Sequence, residues 1–272
     1  MKTVIDFQKM KDAHEKITML TCYDYWSANI LAKADIDCIL VGDSASMVMH
    51  GCESTVPATM AMMEWHVKAV ARGAPNKFII GDMPFLSFRK GLPDTMRNVE
   101  KLMQAGSHAV KLEGARGNLA NIEHIVTSGI PVMGHIGLTP QSVFQLGGHK
   151  LQGTSEQAQQ ELMQAAKDLE NAGCFAIVLE CIPAPLAARI THSLRIPTIG
   201  VGAGQETSGQ VLVLQDMLGM NDQFMPKFLK TYLKGFELIR DAVNEYTREV
   251  KEQKFPRAEH CYKDPTVREV CN

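Results

Sequence analysis

The chain has 272 residues, 45% hydrophobic and 21% charged, with a formal net charge of −2. That is ordinary globular composition with enough apolar material for a large core, and it offers no basic surface for nucleic acid or an anionic membrane. The seven cysteines form no CxxC pair, so they read as reduced residues of a cytoplasmic protein and not as a disulfide frame. No signal peptide is legible, and no apolar run reaches the roughly 18 residues of a membrane span.

In chain order, Val4 to His14 is an amphipathic helix lying ahead of any repeat. Ile17 to Thr21 is the first strand and Tyr23 to Ala34 a helix. The run Cys38-Ile39-Leu40-Val41 is a second, buried strand that leads into Gly42, Asp43 and Ser44. The connection from Ser44 to Ala58 is longer than a usual βα turn, a length that points to function. Thr59 caps a helix through Ala71. The strand Phe78-Ile79-Ile80-Gly81 ends in Asp82, and a helix runs from Pro93 to Gly106. Ala109-Val110-Lys111-Leu112 ends in Glu113, and the next helix closes at Ser128-Gly129. Pro131 to His135 is the fifth strand, followed by a glycine-rich loop. Thr154 or Ser155 caps a long helix that stops at Gly173, and Phe175 to Glu180 is the sixth strand. Pro183 to Leu194 is helical, Pro197 to Val201 is the seventh strand and Val211 to Leu214 the eighth. Phe228 to Val250 has helical periodicity, and residues 251–272 form a polar tail.

Strand ends recur near the ~30-residue period of a βα unit, and unbroken apolar strands alternating with helices mean a parallel sheet. Eight units in this length predict an α/β fold of the (β/α)8 TIM-barrel kind, one domain over 1–272, with an extra N-terminal helix. Chemistry in such a barrel sits at the carboxyl ends of the strands.

Asp43, Asp82 and Glu113 follow apolar strands there. One such acid would be read as a helix cap. Three on consecutive strands repel one another unless a cation intervenes, and an all-oxygen set without paired His or Cys suits Mg2+ rather than zinc. Ser44 is placed either for a substrate carboxylate or for a turn hydrogen bond. Lys111 shares a strand face with Glu113, where it neutralises that acid, holds an anionic substrate, or both. His135 faces the same mouth. Glu180 ends the sixth strand among apolar neighbours, which raises a carboxylate pKa towards that of a working base, unless Arg189 or Lys150 pairs with it. The run Gly200 to Gly204 resembles the phosphate-binding turns that follow strand seven in such barrels, with a tight turn holding no ligand as the favoured reading.

Several runs together resemble the ketopantoate hydroxymethyltransferase family. They are Thr21-Cys-Tyr-Asp-Tyr25, Val41-Gly-Asp-Ser44, Arg72-Gly-Ala-Pro75, Val110-Lys-Leu-Glu-Gly114, Gly134-His-Ile-Gly-Leu-Thr-Pro-Gln-Ser142, Leu179-Glu-Cys-Ile-Pro183 and Ile199-Gly-Val-Gly-Ala-Gly204. The resemblance implies a (β/α)8 barrel that uses Mg2+ and takes 5,10-methylenetetrahydrofolate as co-substrate. It implies transfer of a hydroxymethyl group to 3-methyl-2-oxobutanoate, giving 2-dehydropantoate for pantothenate synthesis. It places Asp43, Asp82 and Glu113 around the metal, partly through water. Asp43, Ser44, Asp82, Lys111 and His135 then lie at the 2-oxo acid, and Glu180 is the proton acceptor. It further implies a homo-oligomer, a decamer. Two departures stand out: Ala45-Ser46 and His149 occupy positions where the family usually has other residues. Competing readings are a lyase of the phosphoenolpyruvate mutase and isocitrate lyase type, which needs no folate, and a non-catalytic barrel whose acids are caps.

Overall fold

The computed structural model describes residues 1–221 and 225–262. The elements are, in order, α1 (Val4–Asp12), β1 (Ile17–Thr21), α2 (Tyr25–Lys33), β2 (Cys38–Val41), α3 (Ala45–Val48), α4 (Met60–Gly73) and β3 (Phe78–Asp82). Then come α5 (Leu92–Ala105), β4 (Ala109–Glu113), α6 (Leu119–Thr127), β5 (Val132–Gly137), α7 (Val143–Leu146), α8 (Glu156–Asn171) and β6 (Ala176–Glu180). The last are α9 (Ala184–Ser193), β7 (Thr198–Val201), β8 (Gly209–Leu212), α10 (Leu214–Met217) and α11 (Gly235–Lys251).

The eight strands form a closed parallel barrel in sequential order, sealed by β8 against β1. The expected α/β barrel with its extra N-terminal helix is the observed architecture. Two local differences have physical causes. No helix separates β7 from β8, because the chain turns straight back through 202–208. The eighth strand begins at Gly209, two residues before the expected Val211, because Gly209 pairs with Ile17 at the seam. A Cβ there would lie 2.3 Å from the Ile17 carbonyl oxygen, so only glycine closes the barrel at that point.

Contacts divide the chain into two compact units. The first, Met1–Leu214 with Pro226–Leu229, contains the whole barrel. The second, Gln215–Met225 with the chain from Lys230 onward, contains α11. This helix starts later than the expected Phe228, and Leu238, Ile239, Val243 and Tyr246 on it are exposed. Of the 251–272 tail, residues 263–272 lie outside the described residues.

Inside the barrel, alternate strand residues such as Met19, Leu40, Ile80, Ala109, Met133 and Val178 form one apolar cluster. α1 closes its amino end. Phe7 and Met10, three apart and so on one helix face, are both buried in that cluster. Each burial contributes about 1.5–3 kcal/mol. The Phe7 ring meets Phe78 edge-on at 5.3 Å and stacks on Phe175 at 6.3 Å. Lys11 fastens the same helix by donating to the carbonyls of Leu194 and Ile196 at 2.8 and 2.6 Å, beyond the carboxyl end of α9.

Candidate active site

Above the apolar layer the barrel turns polar, and strand register decides which charges meet. Asp82 on β3 pairs in register with Lys111 on β4, Glu113 on β4 with His135 on β5, and Gly137 on β5 with Glu180 on β6. Asp43 stands two residues past β2. Asp43, Asp82, Lys111, Glu113 and His135 are all buried, none more than 4% exposed.

Lys111 Nζ lies 2.8 Å from Asp82 Oδ1. Holding an anionic substrate is one expected role of Lys111, and neutralising Glu113 on the same strand the other, compatible one. Asp82 takes the place of Glu113 because parallel register sets it directly beside Lys111. His135 bridges two acids instead, with Nδ1 3.4 Å from Glu113 Oε1 and Nε2 3.2 Å from Glu180 Oε2. Glu180 keeps 19% of its side chain exposed, so it is less enclosed than its apolar neighbours in sequence suggest. Arg189 does not reach it and donates to Gln159 Oε1. Cys181, directly after Glu180, has φ +47°, a left-handed conformation uncommon outside glycine. Gly137, opposite Glu180, has φ +96°, and a Cβ there would stand 2.2 Å from the Glu180 carbonyl oxygen. The backbone is thus drawn tight around the acid.

None of the three metal-candidate acids caps a helix. The residues at the N-caps of α3, α5 and α6 are Ser44, Gly91 and Asn118. Ser44 Oγ is 2.8 Å from the Tyr23 hydroxyl. Gln141 was not singled out from the sequence, although it lies within one of the matching runs. It sits in a 3-10 turn after β5. Its amide donates to Asp43 Oδ2 at 2.8 Å and to the Met83 carbonyl at 2.9 Å, and its backbone N–H donates to Glu113 Oε2 at 3.0 Å. One residue therefore holds two of the three acids.

Charge explains the protonation tendencies. Burial, with repulsion from Asp82 and Glu113, pushes Asp43 well above the ordinary carboxylate range. Burial also raises Asp82, with Lys111 opposing it. Burial works against the Glu113 anion too, but His135, Lys111 and the Gln141 N–H outweigh it and hold that carboxyl low. Burial and Lys111 disfavour a charged His135, yet contact with Glu113 and Glu180 prevails and raises its pKa to about 9. Burial opposes the Lys111 cation, but the surrounding acids hold its pKa above the ordinary value. Both ends of the Lys111–Asp82 pair shift upward: burial, with Glu113 adding to it, raises Asp82, and the surrounding acids raise Lys111. Four carboxylates, Glu180 on His135 included, against Lys111 and an imidazolium leave acid in excess, 4 − 2 = 2, and Asp43, pushed well above the ordinary range, is an acid disposed to take up a proton.

Among the described residues, no three His, Cys, Asp or Glu side chains close on one point as a ready-made metal set. The donors nevertheless fit a hydrated hard cation. They are oxygens in excess negative charge, and Asp82 Oδ1 touches Lys111 without an aligned hydrogen-bond donor. Mg2+ keeps several waters and needs only one or two carboxylates.

A closed parallel barrel with this charged cluster at the carboxyl ends of its strands is the framework of a (β/α)8-barrel enzyme. The comparisons narrow the class. The family profile for ketopantoate hydroxymethyltransferase matches residues 1–258. A 3-methyl-2-oxobutanoate hydroxymethyltransferase of Coxiella burnetii (strain Dugway 5J108-111) is 60% identical over 259 residues, covering 94% of this chain and 97% of the relative. Its counterpart in Bdellovibrio bacteriovorus is 57% identical, covering 96% of this chain and all of the relative. The chain belongs to the ketopantoate hydroxymethyltransferase family. Among solved structures, a phosphonopyruvate hydrolase complex with oxalate and Mg2+ superposes with a TM-score of 0.61 at 12% identity, covering 96% of this chain and 93% of that one. A 2,3-dimethylmalate lyase of the phosphoenolpyruvate mutase and isocitrate lyase superfamily gives 0.57 at 14%, covering 93% and 99%. At those identities the likeness is one of fold.

Proposed function

We propose that the protein transfers a hydroxymethyl group from 5,10-methylenetetrahydrofolate to 3-methyl-2-oxobutanoate, giving 2-dehydropantoate for pantothenate and coenzyme A synthesis. Asp43, Asp82 and Glu113 hold Mg2+, partly through water, and Glu180 is the base. The observation that carries this reading is the charge balance. Asp43, Asp82, Glu113 and Glu180 outnumber Lys111 and His135, and a bound 2-oxo acid adds a further negative charge. A divalent cation offsets that excess more fully than a monovalent one.

When bound, Mg2+ supplies Lewis acidity at the keto oxygen and so acidifies the C3 hydrogen. Glu180 removes that proton. The His135 contact at 3.2 Å aims the carboxylate. Lys111 and His135 offset the negative charge that develops on the substrate. Ser44, steadied by Tyr23, meets the substrate carboxylate. The C3 carbon then bonds to the folate-borne methylene as one of its two C–N bonds breaks, water displaces the second nitrogen, and tetrahydrofolate leaves carrying the C3 proton and one proton of that water. With one water consumed, the transferred carbon becomes CH2OH.

One barrel, in this reading, carries the whole site. We also assign the protein to the cytoplasm. Cys22, Cys38, Cys52, Cys174, Cys181 and Cys261 are free, while Cys271 lies outside the described residues. Among the described residues no helix is long and apolar enough to cross a membrane. The exposed apolar side chains of α11 favour a homo-oligomer, the decamer of the resemblance, which light scattering tests. Proton NMR of the substrate in D2O tests the chemistry before any folate is added. Exchange at C3 that requires Mg2+ is expected. Exchange that ignores Mg2+ overturns the metal assignment.

A further inference from the structure

A pair of histidines stands apart from the carboxylate cluster. His50 follows α3, His66 lies on α4, and their Nε2 atoms are 2.9 Å apart. His66 Nδ1 is 2.6 Å from the backbone carbonyl oxygen of Tyr23. A carbonyl only accepts, so Nδ1 carries a hydrogen, and Nε2 of the neutral ring presents a bare lone pair. Metal-ligating imidazoles are oriented in this way, with the far nitrogen donating to a backbone carbonyl. The Tyr23 ring meets His66 edge-on at 6.3 Å. His66 is thus held in place, whereas His50 is exposed.

We propose that His50 and His66 form a two-imidazole site for a first-row transition-metal cation of the Cu2+, Ni2+ or Zn2+ kind. Two nitrogens at about 2.0–2.1 Å from one ion, in neighbouring coordination positions, stand roughly 3 Å apart, close to the separation seen here. Without an ion, His50 Nε2–H donates to His66 Nε2, and the ring centroids are 5.2 Å apart. To bind, His50 moves that hydrogen to its Nδ1 and turns its Nε2 lone pair off the line between the rings. No bond to carbon changes and no oxidant is needed. Water fills the remaining positions, since among the described residues no third His, Cys, Asp or Glu completes a set.

Imidazole nitrogen selects these ions over Mg2+, so the two sites of the molecule sort cations by hardness. The bound ion would cross-link the exit of α3 to α4. Tyr23 extends that link, because its carbonyl holds His66 and its hydroxyl lies 2.8 Å from Ser44 Oγ. The effect is to staple the connection 44–58 without touching the reacting atoms.

The test titrates Cu2+ alone into the full-length protein held in saturating Mg2+, with electron paramagnetic resonance and calorimetry as readouts. The wild type should take up one equivalent with nitrogen hyperfine structure from two imidazoles. His50→Gln should lose one nitrogen and bind at least tenfold more weakly, with copper-free C3 exchange at the wild-type rate. Limited proteolysis within 45–58 should slow on adding Cu2+ to the wild type but not to His50→Gln. His66→Gln, checked for folding by circular dichroism, should lose the same signal. Equal affinity and nitrogen count in wild type and His50→Gln, or copper seated only on carboxylate oxygens, overturns the proposal.

Discussion

His135 Nε2 lies 3.2 Å from Glu180 Oε2, while the other nitrogen of the same ring lies 3.4 Å from Glu113 Oε1. One imidazole thus joins the acid assigned to proton removal to an acid assigned to the metal. Replacing Glu180 by Gln keeps the shape and removes the base. C3 exchange should fall by about 10²- to 10⁴-fold. Mg2+ and 2-oxo acid binding, read by calorimetry, should stay near wild type. Wild-type exchange in this variant would remove Glu180 from its role.

His135 also predicts a pH response. Its folded pKa, about 9, lies above the ordinary value of roughly 6.5. A raised pKa contributes stability that is fully present below about 6.5 and lost as pH climbs through about 9. In Mg2+-free protein, nitrogen-15 NMR should show an imidazolium at pH 7.5 that loses its proton near pH 9. A neutral ring at pH 7.5 contradicts the charge count at the site.

Gln141 holds Asp43 and Glu113 at once. Gln141→Leu removes the amide but leaves the backbone N–H. Mg2+ affinity should drop by about 10- to 100-fold, the usual loss when a group orienting a ligand is deleted. Asp82→Ala should weaken Mg2+ as well, and it also strands the Lys111 cation. Calorimetry with wild-type affinity in both variants would remove the cluster as the metal site.

Glu170, far from the chemistry, links α8 to the start of β7. Its carboxylate accepts from the N–H groups of Arg195 and Ile196 at 2.5 and 3.3 Å and pairs with Lys167 at 3.0 Å. Burial opposes the anion, but these partners outweigh it and lower the pKa. The sign is therefore opposite to that of His135. The stabilisation is present above the unfolded pKa, near 4.3, and is lost as pH falls through the folded value. Glu170→Gln should cost about 1–3 kcal/mol at pH 7 in urea melts, and much less near pH 3.

The acids at strand ends were legible because each follows an unbroken apolar run, and a barrel gathers such ends. Their pairing was not. Lys111 meets Asp82 through parallel register, which no spacing within one strand reveals. Gln141 reaches Asp43 across 98 positions of sequence, and glutamine carries no motif of its own. The eighth strand was placed late because Gly209 looks like turn material, whereas its missing side chain is what lets β8 lie against β1. The span of α11 was overextended because apolar spacing continues upstream of Gly235 without a helix there.

The aromatic plug of Phe7, Phe78 and Phe175 fills the amino end of the barrel, which leaves the carboxyl end as the approach to the charged cluster. Whatever binds deepest must arrive first and depart last. On the proposed chemistry, the small keto acid reaching Lys111 would precede the folate, and tetrahydrofolate would leave before the lengthened acid. Product-inhibition kinetics read out such an order, which a phenylalanine stopper on the side remote from the charged cluster would impose.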